Sequence, residues 1–236
     1  MVRADFPQRF IEPNRPSERA SIALLSAPSD ATWPRMNTIR AVCVYCGSGP
    51  GSDPLFVETA REFGSLLAQN DIRLVYGGGS LGLMGAVANG VLDAGGKVTG
   101  IIPDFLKDRE RMLGRAQELI VTADMHERKR MMFEKADAFV ALPGGIGTLE
   151  ELVEQMTWAQ LGRHQKPILI ANIQGFWNPL CALLDHMRTT AFIRSDLAVN
   201  LLVANTVEEI IPKLKGAAAP SREVENAKAA ETIERM

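Results

Sequence analysis

Between Ala136 and Gly162 the chain reads ADAFVALPGGIGTLEELVEQMTWAQLG. An apolar run ends at Pro143, glycines follow at 144, 145 and 147, and two adjacent glutamates, Glu150 and Glu151, open a helical pattern. A glycine-rich turn leading into a helix can hold a phosphate group, because unpaired main-chain N–H groups converge at the positive end of the helix dipole. Carboxylates in a first helical turn would compete for that field. With the helix taken to start near Thr148, Thr148-x-x-Glu151 has the spacing of a capping box, and Glu151 would then act as a reciprocal cap. The other reading is a carboxylate that stabilises positive charge developing in a bound molecule. Spacing alone does not separate the two. Glu150 points elsewhere on the helix and reads as a solvated or dipole-compensating acid.

A second glycine loop, YGGGSLGLMG from Tyr76 to Gly85, follows another apolar run. Gly77, Gly79 and Gly82 have the G-x-G-x-x-G spacing of dinucleotide folds, with Asp104 near where a ribose-binding acid would stand. Leu83 and Met84 occupy the positions that a nucleoside-triphosphate loop gives to Lys and Ser/Thr, which argues against ATP or GTP hydrolysis. Two converging amide nests suit one phosphate group held without a metal. A third segment, DMHERKRMM, places Arg128 one helical turn from both Met125 and Met132. Its guanidinium either snorkels from the core edge or turns into a pocket. Lys129 and Arg130 would ordinarily be surface charge, and His126 alone makes no metal site. Cys43 and Cys46 have redox-motif spacing, but Cys43 lies within an expected strand, where positions three apart face opposite sides. Buried, reduced thiols are expected, and a zinc site lacks its second pair.

These residues need elements to position them. The chain has 236 residues, 46% hydrophobic and 23% charged, with a formal charge of −2. That length suits one sizeable domain, and the charge gives no footprint for nucleic acid. No apolar run has transmembrane length and the start lacks a cleavable signal, so a soluble, cytoplasmic protein is expected. Residues 1–38 read as a flexible extension and 216–236 as a flexible or helical tail. Between them, from 39 to 215, apolar β-branched runs alternate with helical patterns. Strands are expected at 39–46, 72–79, 97–102, 118–122, 138–142, 167–172 and 201–205. Runs without apolar/polar alternation are buried on both faces. The fold class is therefore α/β: a single-domain, doubly wound, Rossmann-like, mostly parallel sheet of about seven strands with helices on both faces. Ligands in such sheets bind beyond the carboxyl ends of the strands.

PGGIGTLEE matches P-G-G-x-G-T-x-x-E, with MHERK upstream; together with CVYCGS and YGGGSLGLMG they make the chain resemble the LONELY GUY (LOG) family from about residue 39 to 215. The resemblance implies an enzyme, a cytokinin riboside 5′-monophosphate phosphoribohydrolase. Such an enzyme cleaves the N-glycosidic bond of N6-modified AMP, and many members also accept AMP, without a cofactor or metal. It implies that Arg128 and Glu151 are essential. It places the substrate on Gly145, Ile146, Gly147, Thr148, Leu149 and Glu150, with Gly78, Gly79 and Ser48 near the phosphate and Lys129 and Thr157 touching the nucleotide. It also takes an acid from the loop after the third strand, Glu110 or else Asp108. Family members are often labelled lysine decarboxylases, yet nothing marks a pyridoxal phosphate lysine here. The resemblance further implies a homodimer or larger assembly, with Trp158 either an interface anchor or a core residue. The rivals are a broader nucleotide nucleosidase, a molybdenum-cofactor carrier on the same fold, and a nicotinamide-dependent oxidoreductase.

Overall fold

The computed structural model describes residues 38–107, 113–193 and 199–218. Within them seven strands form one parallel sheet: β1 Ala41–Tyr45, β2 Arg73–Tyr76, β3 Val98–Pro103, β4 Glu118–Thr122, β5 Ala138–Ala141, β6 Ile168–Ala171 and β7 Leu201–Ala204. The order is β4-β3-β2-β1-β5-β6-β7. The described residues contain six α-helices: α1 Pro54–Gln69, α2 Gly82–Asp93, α3 Met125–Lys135, α4 Ile146–Gln160, α5 Asn178–Thr189 and α6 Ile210–Ala218. The strand order turns back between β1 and β5, so their carboxyl ends open a crevice where no crossover covers the sheet.

Alternation along β1 explains the two-sided core. Val42 and Val44 point into a cluster with Phe63, Leu67, Leu74 and Val87, while Ala41, Cys43 and Tyr45 point into one with Met132, Phe139 and Leu152. Cys43 and Cys46 fall in opposite clusters as unbridged thiols. Burial pushes the Cys43 thiol far up, with the Glu151 carboxylate adding to the effect.

Two helix boundaries differ from expectation. Helix α4 begins at Ile146, with Gly145 as its cap and no side-chain capping bond. Thr148 is therefore the third helical residue and Glu151 lies in the second turn, so the expected capping box is absent here. A related reciprocal pair opens α3 instead. The Asp124 carboxylate accepts from Glu127 N–H at 2.8 Å, and the Glu127 carboxylate accepts from Ala123 N–H at 2.8 Å. Finally, α6 continues through Ala218 into the segment expected as tail, since Gly216, Ala217 and Ala218 are small and let the last turn close. Residues 1–37 and 219–236 lie outside the described residues. Among the described residues no helix is long and apolar enough to cross a membrane.

The far end of α4 is tied down by a buried histidine that sequence reading passes over. His164 Nε2 donates to Gln155 O at 3.2 Å, while Lys166 N–H donates to Nδ1 at 3.1 Å, which fixes the neutral tautomer. The ring packs on Phe133 and Phe139. Burial lowers its affinity for protons relative to the unfolded chain. Because the unfolded histidine binds the proton more readily, the native state is favoured above about pH 6.5 and loses that advantage as the pH falls below it. Between pH 7.5 and 5.5, denaturant unfolding should show wild type losing more stability than His164→Gln. Equal losses would remove His164 from that account.

Candidate active site

The crevice at the ends of β1 and β5 is a cleft of about 290 Å³. The first turn of α4 forms one wall, with Gly145, Ile146, Gly147 and Thr148 on it. A glycine at the cap leaves no side chain to occupy the first amides, which cannot be satisfied within the helix. Gly144 makes the turn possible by close approach: a Cβ there would run into the Thr148 side chain and the Gly47 amide. Ser48 closes the same end, after Gly47 N–H donates to Pro143 O at 3.0 Å and joins the two strand ends.

The opposite wall carries Arg128 from α3, aimed by the capping of that helix. It is 6% exposed. Nε donates to Ile101 O at 3.2 Å, Nη1 donates to Met125 Sδ at 3.7 Å, and Nη2 lies 3.8 Å from Glu151 Oε1. The last distance is an ion pair without a direct hydrogen bond. Gly77, at the end of β2, makes room for this guanidinium, since a Cβ on Gly77 would overlap Arg128 Nη2. Glu151 is 8% exposed, so a carboxylate and a guanidinium face each other where water screens them poorly. Tyr45 floors the cleft. Burial first, then the Cys43 thiol and the Glu151 charge, hold its phenol well above the ordinary range, so it remains an O–H group.

The structure thus brings together Ser48, Arg128, Gly145, Ile146, Gly147, Thr148, Glu150 and Glu151. Other expected residues fall elsewhere. Gly78 and Gly79 are absent from the wall that Gly77 forms: Gly78, at φ +81°, turns toward β3 and its carbonyl accepts from Leu113 N–H. Leu149 packs into the core on the Tyr45 side of the sheet. Lys129 bridges helices instead of lining the cleft, donating to Glu150 Oε1 at 2.6 Å and pairing with Glu154 Oε1 at 2.9 Å. Burial pulls its ammonium down, and the bonds to Glu150 and Glu154 more than reverse that, leaving it above its ordinary value. Thr157 donates to Val153 O, nine residues beyond Thr148 and about 13 Å along the helix. Asp104 is exposed and pairs with Lys107. Trp158 packs edge-on against Phe133. Glu110 and Asp108 lie outside the described residues.

Tyr45, Gly47, Gly77 and Met84 belong to the wall and were not singled out as site residues from sequence. Tyr45, Gly47 and Gly77 sit at or just beyond the carboxyl ends of β1 and β2, and Met84 in the first turn of the helix that follows β2, which is the signal that would have found them. A larger depression of about 440 Å³ lies at the opposite ends of the strands, among Arg40, Arg73 and Lys97. We place the site in the smaller cleft because it alone has the carboxyl-end position, the uncapped helix and the buried ion pair. Among the described residues no group of His, Cys, Asp and Glu is arranged to hold a metal ion.

The model of the family described as "Possible lysine decarboxylase" matches residues 84–214. The chain is 45% identical over 181 residues to the cytokinin riboside 5′-monophosphate phosphoribohydrolase LOG of Oryza sativa subsp. japonica, covering 77% of this chain and 75% of that protein. It is 44% identical over 176 residues to the enzyme of the same name, LOG3, of Arabidopsis thaliana, covering 75% and 82%. Among solved structures, the molybdenum cofactor binding protein of Rippkaea orientalis matches at a TM-score of 0.56 and 22% identity, covering 76% of this chain and 97% of that one. The molybdenum-cofactor carrier protein of Chlamydomonas reinhardtii matches at 0.57 and 20%, covering 76% and 98%. At those identities the structural likeness speaks for the Rossmann-like fold alone. The sequence relatives and the family model speak for more: the chain belongs to the LONELY GUY (LOG) family.

Proposed function

We propose that the chain hydrolyses the N-glycosidic bond of cytokinin riboside 5′-monophosphates, N6-substituted AMP, giving free base and ribose 5-phosphate, and that it also accepts AMP. The observation that carries the reading is the buried Arg128–Glu151 pair beside the uncapped start of α4. The phosphate docks on the amides of Ile146, Gly147 and Thr148, with Ser48 at its side. The sugar then extends toward the second turn, where Glu151 stands. As the bond from C1′ to the base breaks, the electron pair leaves with the base and positive charge grows at C1′. The Glu151 carboxylate stabilises that charge and orients the water that adds to C1′, whose proton ends on the base. The Arg128 guanidinium orients substrate and carboxylate through its N–H donors. Lys129 supports the pair from behind by tying α3 to α4. Glu110, or else Asp108, supplies a further acid from the loop after β3.

A cofactor carrier would use the same amides but has no need of a buried carboxylate facing a guanidinium. Decarboxylation on pyridoxal phosphate needs a lysine, and among the described residues none lines the cleft. The folded unit of 39–215 works as a cytoplasmic homodimer or larger assembly. Exposed Val153 on α4 and Leu161 just past its end support the assembly. The test measures ribose 5-phosphate released from N6-isopentenyl-AMP, AMP, GMP and CMP side by side. Release should be fastest from the first and slower from AMP. Binding without release from any of the four would favour the carrier, and equal rates on all four would favour a general nucleosidase.

A further inference from the structure

Arg128 is flanked by sulfur. Met125, one turn earlier on α3, is half-buried on the cleft wall, and its Sδ is the acceptor for Arg128 Nη1 at 3.7 Å. Met84 arrives from α2: a Cβ built on Gly77 would lie 3.0 Å from Met84 Sδ while overlapping Arg128 Nη2. A thioether is a weak acceptor, so it seats the guanidinium without competing for the hydrogens that face Glu151 and the cleft. Of the three methionines on the wall, Met132 and Met84 are 1% and 6% exposed, whereas Met125 is open enough to meet a small oxidant.

We propose that Met125 is a modification site, at which a peroxide oxidises the thioether to the sulfoxide and reversibly shuts the active site. The balance is closed with hydrogen peroxide as oxidant. Its O–O bond breaks, one oxygen bonds to Sδ through a sulfur lone pair, and the other leaves as water. The sulfur is oxidised and the peroxide reduced. The new oxygen is a strong acceptor at the place where Nη1 formerly met a soft one. It draws Nη1 closer and so turns the guanidinium, taking Nη2 out of the position that faces Glu151, and it turns an apolar wall polar. Methionine sulfoxide reductases reverse the change with two electrons from a dithiol, the oxygen leaving as water, which makes it a switch rather than simple damage.

The activity readout rests on the hydrolase reading, so site occupancy is measured separately. The full chain is treated with hydrogen peroxide, oxygen addition at each methionine is mapped by peptide mass spectrometry, and ribose 5-phosphate release is followed in parallel. The chain also has three cysteines, and Cys46 lines the cleft, so dithiothreitol is added before each assay to restore oxidised thiols. Met125 should oxidise before Met84 and Met132, and activity should fall about tenfold or more in step with it, the size expected when a positioning group moves. Reductases acting on both sulfoxide epimers should restore it. Met125→Leu, whatever its starting rate, should lose activity several-fold more slowly than wild type. Met125→Gln, which installs a lasting carbonyl acceptor, should begin about tenfold below wild type before any peroxide is added.

The proposal falls if wild type stays active with Met125 fully oxidised, if Met125→Leu is inactivated at the wild-type rate, or if dithiothreitol alone restores what peroxide removes. Untreated protein that releases no ribose 5-phosphate counts against the hydrolase reading instead. AMP affinity by calorimetry, before and after oxidation, then decides: weaker binding supports the switch and unchanged binding overturns it.

Discussion

Glu151→Gln binds AMP as wild type does and loses about two to three orders of magnitude in kcat. The amide keeps the size of the carboxyl group and an oxygen toward Arg128, so what disappears is the negative charge. A charge that matters mainly when C1′ becomes positive contributes little to ground-state binding and a great deal to turnover, so kcat falls while Kd holds. The position of Glu151 in α4 separates this from a structural role. The helix is capped at Gly145, and Glu151 stands in its second turn, away from the terminal amides. Its replacement therefore costs no cap. Isothermal calorimetry with AMP, steady-state release of ribose 5-phosphate and denaturant unfolding form the set of measurements. A wild-type turnover in the variant would remove Glu151 from the chemistry.

Gly77→Ala should cost about two orders of magnitude in kcat/KM while leaving the fold intact. The added methyl falls where Arg128 Nη2 lies and 3.0 Å from Met84 Sδ. Both obstacles are the tips of long side chains, which can swing aside without moving β2. Gly77 is not among the residues with positive φ, so alanine brings no backbone strain. Stability should therefore change by less than about 1 kcal/mol while the guanidinium is displaced from Glu151. An active Gly77→Ala enzyme would mean that the position of Arg128 is loosely specified. An unfolded one would mean that the main chain cannot tolerate the methyl.

Much of this architecture was legible in the sequence because the inner strands are buried on both faces. Runs such as AFVA and ILIA carry no polar residue to mimic a helical period, and Glu118–Thr122 was bounded to the residue. The start of α4 was not, for a local reason: glycines at 145 and 147 bracket Ile146, and their poor helix propensity makes the first turn look like loop. Moving that start by two residues changed the reading of Glu151, since the capping box depended on it. The reciprocal pair that does exist, Asp124 with Glu127, lies upstream of Arg128 and was hidden among charges that read as solvated surface.

The site was legible where main-chain amides and a motif spacing define it, and less so where tertiary contacts decide. Lys129 on α3 meets Glu150 and Glu154 on α4 only because the two helices lie side by side on one face of the sheet; nothing in the spacing of 129 and 150 announces it. Gly77 and Gly78 are neighbours in a run of three glycines, and which one faces the cleft depends on the turn at Gly78 with its positive φ. Met84 and Met125 belong to different helices and meet at one guanidinium. Packing sets such encounters, and periodicity along a single segment carries no trace of them.

A structure of Glu151→Gln crystallised with AMP would test the central claim most directly. The account predicts phosphate oxygens about 3 Å from the main-chain nitrogens of Gly147 and Thr148, with C1′ set between position 151 and the Arg128 guanidinium. Phosphate bound instead among Arg40, Arg73 and Lys97, or a ribose turned so that C1′ faces away from position 151, would contradict it.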